Sequence, residues 1–256
     1  MNLLGHEFFK LKKNRTVHIV FVLTVVISIA LALLLIFMPE ELGGNMKGSD
    51  SLAVAAEGVQ IWFIMIAVIV SSIVVAEYGK GQIRNMVMSG HSRCKIFFIK
   101  YIVSLVAALV LFTTTVVISG GVVTIINGWG SIGFGEFIGM YSHMLLQIAA
   151  VTAIIVLIAD LTRSTGAALG ANIALVLIFT LISSFGIRVE IDGEVIIKGN
   201  KILEFIGDMY VGVLAIRAAT PGLSTVKIMR YICTAVVTLV VALFGGAFLF
   251  TKRDLK

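Results

Sequence analysis

The sequence predicts an all-α integral membrane protein with six transmembrane helices. Of its 256 residues, 59% are hydrophobic and 13% are charged, whereas soluble domains average about 45–50% and about 25%. Six apolar runs each approach the roughly 20 residues that cross a bilayer. Runs this long and continuous are helices, since barrel strands are shorter and alternate. The six runs are Val17–Met38, Val59–Ala76, Ile96–Ile118, Phe137–Ala159, Gly166–Phe185 and Ile232–Phe250.

The basic residues predict which side of the membrane each loop faces. They cluster at the N-terminus, between the second and third runs, after the fourth run and at the C-terminus. In this topology one side has 13 basic and four acidic residues, and the other has seven and ten. Cytoplasmic loops are enriched in lysine and arginine, so both termini are predicted to be cytoplasmic. The whole chain, residues 1–256, is predicted to be a single transmembrane domain.

Residues 1–16 are predicted to form an interface helix on the cytoplasmic side. Apolar side chains recur at helical spacing from Leu4 through Phe8 to Leu11, and lysines including Lys12 and Lys13 lie off that stripe. Such an amphipathic helix lies flat at a membrane surface. Two interpretations stay open: a set of basic anchors ahead of the first span, or a helix that also contacts a partner.

Between the second and third runs, residues 77–95 form the predicted coupling loop. Ile83, Met86 and Val87 fall at i, i+3 and i+4, and Gly90 ends the pattern. The spacing predicts a short helix with a small apolar face and a basic rim. A helix of this kind fits a groove on a soluble partner. The alternative is an ordinary basic loop without a partner.

On the opposite side, residues 186–228 are predicted to form an extracellular cap. Ile187–Lys198 alternates and contains Asp192 and Gly193, which together are a two-residue hairpin signal. Ile202–Ala219 is apolar but holds three charged residues, each costing about 2.5–3.5 kcal/mol at a bilayer centre. We therefore expect an interfacial or re-entrant helix there and not a seventh span.

The sequence lacks the motifs of several catalytic and transport classes. It has no GxxxxGK[ST] phosphate-binding loop, no HExxH metal motif and no chain of acids or histidines within the spans. His143, Gln147 and Asn172 are the polar residues expected inside spans, and an interhelical hydrogen bond is favoured for each. Neither Pro39 nor Pro221 breaks a predicted span, which counts against an ion-coupled carrier. No catalytic, metal or cofactor site is predicted.

A pattern of charged and small residues runs through the coupling loop into the third span: Glu77, Gly79, Arg84, Ser92, Arg93 and Lys100. With the basic segment Glu7–Arg15, the six-span topology and the final Phe250–Asp254, it resembles the pattern of ABC-2 type transporter permeases. The resemblance covers essentially the whole chain. In length and in lacking an appended domain, the chain is most similar to the permeases of bacitracin, lantibiotic-immunity and phenol-soluble-modulin exporters.

This resemblance implies a permease subunit of an ATP-driven exporter in a bacterial plasma membrane. Two permeases, identical or paralogous, would pair, and each would bind one separate ABC ATPase subunit that carries the ATP. Ile83–Gly90 would be the coupling helix, and the N-terminal segment would be the interface helix. Arg84 and Arg93 would pair with acidic residues of the ATPase. Glu77 would pair with Lys100 to fix the base of the helices.

The expected cargo is amphipathic, because the spans are apolar with a few hydroxyl and amide groups. An antimicrobial or toxin peptide is the first choice and a hydrophobic drug the second, whereas nucleic acid is not expected as a partner. Two other function classes stay open. A stand-alone secondary carrier or channel would transport alone in liposomes. A non-transporting scaffold or sensor would bind an ATPase that no cargo stimulates.

Overall fold

The computed structural model describes residues 3–37, 47–52, 55, 58–79, 81–162, 164–185, 189–191, 194–197 and 225–252. Most of this part of the chain is helical. The helices are α1 Leu3–Lys13, α2 Arg15–Phe37, α3 Val59–Val70, α4 Ala76–Gly79, α5 Gln82–Met88, α6 Arg93–Asn127, α7 Phe134–Thr162, α8 Thr165–Phe185 and α9 Thr225–Lys252. The two strands are β1 Val189–Ile191 and β2 Glu194–Ile197.

Five helical stretches within the described residues are long and apolar enough to cross a membrane: Arg15–Leu34, Gln60–Tyr78, Arg93–Asn127, Phe134–Thr162 and Thr225–Lys252. Three of the six predicted runs lie wholly within these stretches, and two more, Val17–Met38 and Val59–Ala76, overlap them over most of their length. The remaining run lies in α8, in which the apolar stretch Thr165–Ile178 is shorter. This pattern indicates a multi-pass membrane protein.

The second span changes its helix type part-way along. Between α3 and α4, residues Ser71–Val75 form a π-helical segment. The sequence predicts a continuous α-helix here, because the segment contains neither proline nor glycine. Its side chains are mostly buried, and α7 and α8 pack against it. Such π-helical turns within α-helices are rare and occur frequently at functional sites.

Helices α6 and α7 form the centre of the bundle. α6 packs against α2, α3, α7 and α9, and α7 also contacts α3, α8 and α9. The span that contains α3 is 61% buried, whereas those of α2 and α9 are 22% buried. Apolar side chains such as Val22, Val237 and Phe244 project outward from these two helices. Lipid tails solvate such side chains as well as protein does, so α2 and α9 form the periphery.

The two ends of the bundle are named after α6: the end at which α6 begins is called the inner end, and the end at which it terminates is called the outer end. At the inner end, Nη1 of Arg93 donates a hydrogen bond to the carbonyl of Thr251 at 3.1 Å. Next to this hydrogen bond in the same two helices, the ring centroids of Phe97 and Phe250 lie 6.2 Å apart. The start of α6 and the end of α9 therefore share the inner end.

At the outer end, a single 3-10 turn, Gly48–Asp50, packs on α6. The amide of Gly48 donates to the carbonyl of Gly128 at 2.9 Å. Gly120 of α6 leaves room for Ser51, which directly follows the turn, because a Cβ at Gly120 would lie 2.8 Å from Oγ of Ser51. The turn thus depends on small residues along one face of α6.

Strands β1 and β2 pair antiparallel, with Ile191 opposite Glu194. The alternating pattern predicts this pairing, and the two strands confirm it. The helix predicted at Ile202–Ala219 lies outside the described residues. An extracellular cap built from both elements therefore stays a prediction.

Candidate functional site

Four charged side chains from three helices meet at the inner end of the bundle. Nζ of Lys100 in α6 lies 2.6 Å from Oε2 of Glu77 in α4. Nζ of Lys10 in α1 lies 2.8 Å from the other oxygen, Oε1 of Glu77, and 2.7 Å from Oε1 of Glu7. We call these four residues the charge cluster. It places alternating charges in a row that joins α1, α4 and α6.

The charge cluster is largely withdrawn from solvent. Lys100 and Glu7 are each 1% exposed, and Glu77 is 5% exposed. Buried charges are tolerated when they are paired and hydrogen-bonded, and removing one partner is costly. Lys100 also donates to the carbonyl of Val74 at 3.4 Å, inside the π-helical segment. The cluster therefore holds the base of the second span to its neighbours on both sides.

Lys10 is the most accessible member of the charge cluster. Burial acts to lower the pKa of its ammonium, but hydrogen bonds to Glu7 and Glu77, together with their negative charges, outweigh that effect. The pKa of Lys10 is consequently raised above its ordinary value of 10.5. Lys10 therefore stays charged throughout the physiological range, and α1 stays tied to the second span.

Helix α1 packs its apolar stripe against the rest of the chain. Phe8, with Leu4 and Leu11, is partly buried and packs against the core of this chain. Lys12 and Lys13 are exposed. The apolar stripe of α1 therefore holds it to the bundle, and Lys12 and Lys13 are accessible to lipid headgroups or to a partner.

A short helix, α5, is present where the coupling helix is predicted, but its apolar face points inward. Gly81, with a φ of 63°, precedes α5, and Gly90, with a φ of 88°, follows it; this left-handed conformation favours glycine. Ile83 is 2% exposed within the core, and Met86 and Val87 pack against that core. The expectation that Ile83 meets a partner therefore differs from the structure. Apolar side chains this close to the bundle are buried against it, because burial removes them from water.

The outward surface of α5 is formed by Arg84, Asn85 and Met88, all exposed. Met88 is 67% exposed. The second predicted arginine, Arg93, is half-buried, and its guanidinium is bonded to the end of α9. Arg84 is therefore the better presented of the two arginines for a partner on this side of the bundle.

A family model described as ABC-2 family transporter protein matches residues 3–183. The match covers well over half of the chain, including the charge cluster and α5. The chain belongs to the ABC-2 transporter family. This ABC-2 permease is thus a membrane subunit of an ABC transporter and is not itself catalytic, and its family normally works with an ABC ATPase. A comparison with curated proteins gave no significant match.

One further inner contact of the ABC-2 permease was missed by sequence reasoning. Oη of Tyr78 donates to Oδ1 of Asp160 at 2.8 Å and so joins α4 to α7. Lys10 was likewise not predicted as a partner of Glu77. The sequence did contain a signal for these contacts: Glu7, Glu77 and Asp160 are acidic residues on the side of the membrane that is predicted to be basic. Each of the three is buried.

The polar residues of the spans have different surroundings in this permease. Nε2 of Gln147 donates to the carbonyl of Tyr231 in α9 at 3.1 Å, which confirms the predicted interhelical bond. Asn172 is buried in α8, but its side-chain amide makes no hydrogen bond within the part of the chain that the structure describes, so the bond predicted for it is not seen. His143 is half-buried in α7. Among the described residues, no group of three or more His, Cys, Asp or Glu side chains is placed to hold a metal.

Proposed function

We propose that this permease works in an exporter in which α5 receives the movement of a separate ATPase and the charge cluster transmits it to the spans. The observation that carries the proposal is the double contact of Glu77. One carboxylate oxygen binds Lys10 of α1 and the other binds Lys100 of α6. Glu77 lies in α4, which directly precedes α5 and contacts it.

The two faces of α5 suit this role. Its outward surface offers Arg84, Asn85 and Met88 to an ATPase groove, and Arg84 would meet an acidic side chain there. Its inward face is anchored by Ile83 in the core. A force on α5 is therefore transferred to α4, and through Glu77 to both α1 and α6. Because these contacts are buried ion pairs, the three helices are expected to move as a unit.

We further propose six spans with both termini in the cytoplasm of a bacterial cell. α7 approaches the inner end, where Asp160 meets Tyr78, and α9 also terminates there beside Arg93. The chain must therefore cross the bundle once more between α7 and the start of α9. Helix α8 is available for this crossing, which supports six spans over five.

In the proposed complex, two permeases, identical or paralogous, each bind one ATPase subunit. The exposed apolar faces of α2 and α9 are available to lipid or to the second permease. The proposed cargo is an amphipathic peptide, or next a hydrophobic drug. Mid-span buried polar groups such as Ser104, Thr115 and Gln147 are uncharged, whereas the buried charged residues that the structure describes lie at the inner end. Uncharged spans suit a lipid-soluble cargo better than an ion.

The test is co-purification of the permease with its ATPase, using Arg84→Glu as the disrupting variant. Lys227→Glu is the matched control: Lys227 is exposed at the start of α9. Because that helix has 28 residues and is about 42 Å long, Lys227 is far from the inner end, where the helix terminates. We expect Arg84→Glu to reduce ATPase recovery at least several-fold and Lys227→Glu to leave it unchanged. Equal recovery of the ATPase with the wild-type permease and with both variants would contradict the assignment of α5 as the helix that receives the ATPase.

Cargo is tested by ATPase activity of the reconstituted complex in nanodiscs against a panel of amphipathic peptides and hydrophobic drugs. Stimulation by a peptide supports the proposed cargo class. An ATPase that binds but responds to no compound would indicate a scaffold or sensor instead. Transport by the permease alone in liposomes would overturn the need for an ATPase.

A further inference from the structure

A cavity of about 640 Å³ lies between the interface helix and the second span. One wall is formed by His6, Phe9 and Lys13 of α1. The opposite wall is formed by the π-helical segment and α4, including Ile73 and Ala76. Cavities of roughly 300–1,000 Å³ are typical of small-ligand sites. Two members of the charge cluster, Lys10 and Glu77, line this cavity.

The cavity has a basic side and an apolar side. Lys10 and Lys13 line it together with His6, and Glu77 is the one acid among its described lining residues. The charge of Glu77 is already matched by Lys10 and Lys100. Lys13 therefore adds a positive charge without a carboxylate partner in the lining. The ammonium of Lys13 lies 5.7 Å from the centroid of the Phe9 ring, which steadies it at the mouth.

The cavity also spans two depths of the bilayer. Ile73 and Ala76 belong to the membrane-crossing stretch Gln60–Tyr78. Lys10 and Lys13 lie in α1, which ends just before the first span begins. Lysines beside the ends of spans sit at the level of lipid headgroups. The basic side is thus at headgroup level and the apolar side reaches toward the acyl chains.

We propose that this cavity binds an anionic phospholipid from the leaflet on the side of α1. The phosphate lies against Lys13 and His6, with Lys10 behind them, and an acyl chain runs along Ile73 and Ala76. A lipid fits this combination better than a free anion, because a free anion leaves the apolar wall unused. The bound lipid fills the gap between α1 and the second span, beside the contact that holds them together.

Native mass spectrometry of the full purified chain in detergent tests this proposal. The probes are phosphatidylglycerol and phosphatidylcholine with the same acyl chains. We expect preferential retention of phosphatidylglycerol. Lys13→Ala should weaken this retention roughly fivefold, the effect of one basic residue at an anionic surface. The matched control is Lys12→Ala, because Lys12 is an exposed neighbour on the same helix that does not line the cavity.

Four outcomes decide whether the cavity binds an anionic phospholipid. Loss of phosphatidylglycerol retention with Lys13→Ala but not with Lys12→Ala supports the site. A smaller loss of retention with His6→Ala supports it further. Equal loss with both lysine variants would indicate a diffuse attraction of α1 for lipid and overturn the site. Equal retention of the two lipids would also overturn it. If millimolar inorganic phosphate displaces the lipid as readily as added phosphatidylglycerol does, the cavity recognises a free anion and the lipid assignment fails.

Discussion

The ammonium of Lys100 lies 2.6 Å from the carboxylate of Glu77, and both side chains are buried where the second and third spans meet at the inner end. Because Lys10 holds the other oxygen of the same carboxylate, Glu77 is the residue on which three helices converge. The stability and the movement of this end of the permease both depend on that one side chain.

Removal of the ammonium should destabilise the permease. Lys100→Met leaves Glu77 buried with Lys10 as its remaining partner, and breaking a buried pair costs about 3–5 kcal/mol in the free energy of unfolding. Unfolding in detergent measures the loss. The double variant Glu77→Gln/Lys100→Met should recover much of it, since no unmatched charge remains.

Lys95→Met controls for the loss of a lysine from the same helix, because Lys95 is exposed. We expect Lys95→Met to change the free energy of unfolding by no more than about 0.5 kcal/mol. If Lys100→Met unfolds like the wild-type protein, the charge cluster does not stabilise the bundle.

From neutral pH upward, the docking of α1 should change only under strongly alkaline conditions. The pKa of Lys10 is raised in the folded protein, so its contribution is complete below the ordinary value of 10.5 and is lost as the pH rises through the folded value. Docking should be constant between about pH 6 and 9 and weaken above 10.5.

Spin labels on α1 and α5, at Lys12→Cys and Asn85→Cys with both native cysteines replaced by serine, measure this docking as a distance. Lys10→Met should loosen α1 already at neutral pH and remove the part of the alkaline change that Lys10 causes. A transition near pH 6 or 7 would mean that another group controls α1.

Two adjacent glycines in α9 should respond oppositely to alanine. A Cβ at Gly246 would overlap the ring of Phe97 and lie 3.3 Å from Cδ1 of Leu157, whereas a Cβ at Gly245 meets nothing within 4 Å. Phe97 is fully buried and cannot swing away. Gly246→Ala should therefore cost about 1–3 kcal/mol in stability.

Gly245→Ala should be neutral or stabilise by up to about 1 kcal/mol, since alanine is the better helix former. Unfolding of the two variants under identical conditions makes the comparison. Similar destabilisation by both would mean that α9 does not pack on α6 and α7 as described.

Cysteine labelling should report the orientation in the membrane. Cys94 is exposed at the inner end, and Cys233 is exposed on α9 within a membrane-crossing stretch. A thiol reacts as its thiolate, which needs water. In the Cys233→Ser variant, an impermeant maleimide should label inverted vesicles and not intact cells. Labelling of intact cells at Cys94 would reverse the proposed topology.

The helices and their order could be predicted from the sequence, because apolar runs of membrane length leave few alternatives. The contact of Glu77 with Lys100 was also predictable, since the two residues lie at the facing ends of consecutive spans. The contact of Glu77 with Lys10 was not, because 67 residues separate them and the position of α1 depends on tertiary packing.

Two other features show where sequence patterns are insufficient. The spacing of Ile83, Met86 and Val87 predicts an apolar face, but spacing does not specify whether that face meets a partner or the chain's own core. The π-helical turn at Ser71–Val75 contains neither proline nor glycine, so no helix breaker marks it in the sequence. The segment packs against α7 and α8, and a linear pattern does not encode that packing.

The charge cluster also has a consequence for biosynthesis. Its members are made at three separate times, with Glu7 and Lys10 first, Glu77 later and Lys100 last. While the chain is being inserted, Lys10 has only its neighbour Glu7 as a partner until the second span arrives, and Glu77 completes its pairing only when α6 enters the bilayer. Helix α1 is thus made well before the residue on the second span that secures it, and a chain released before Lys100 would hold Glu77 with only one of its two basic partners.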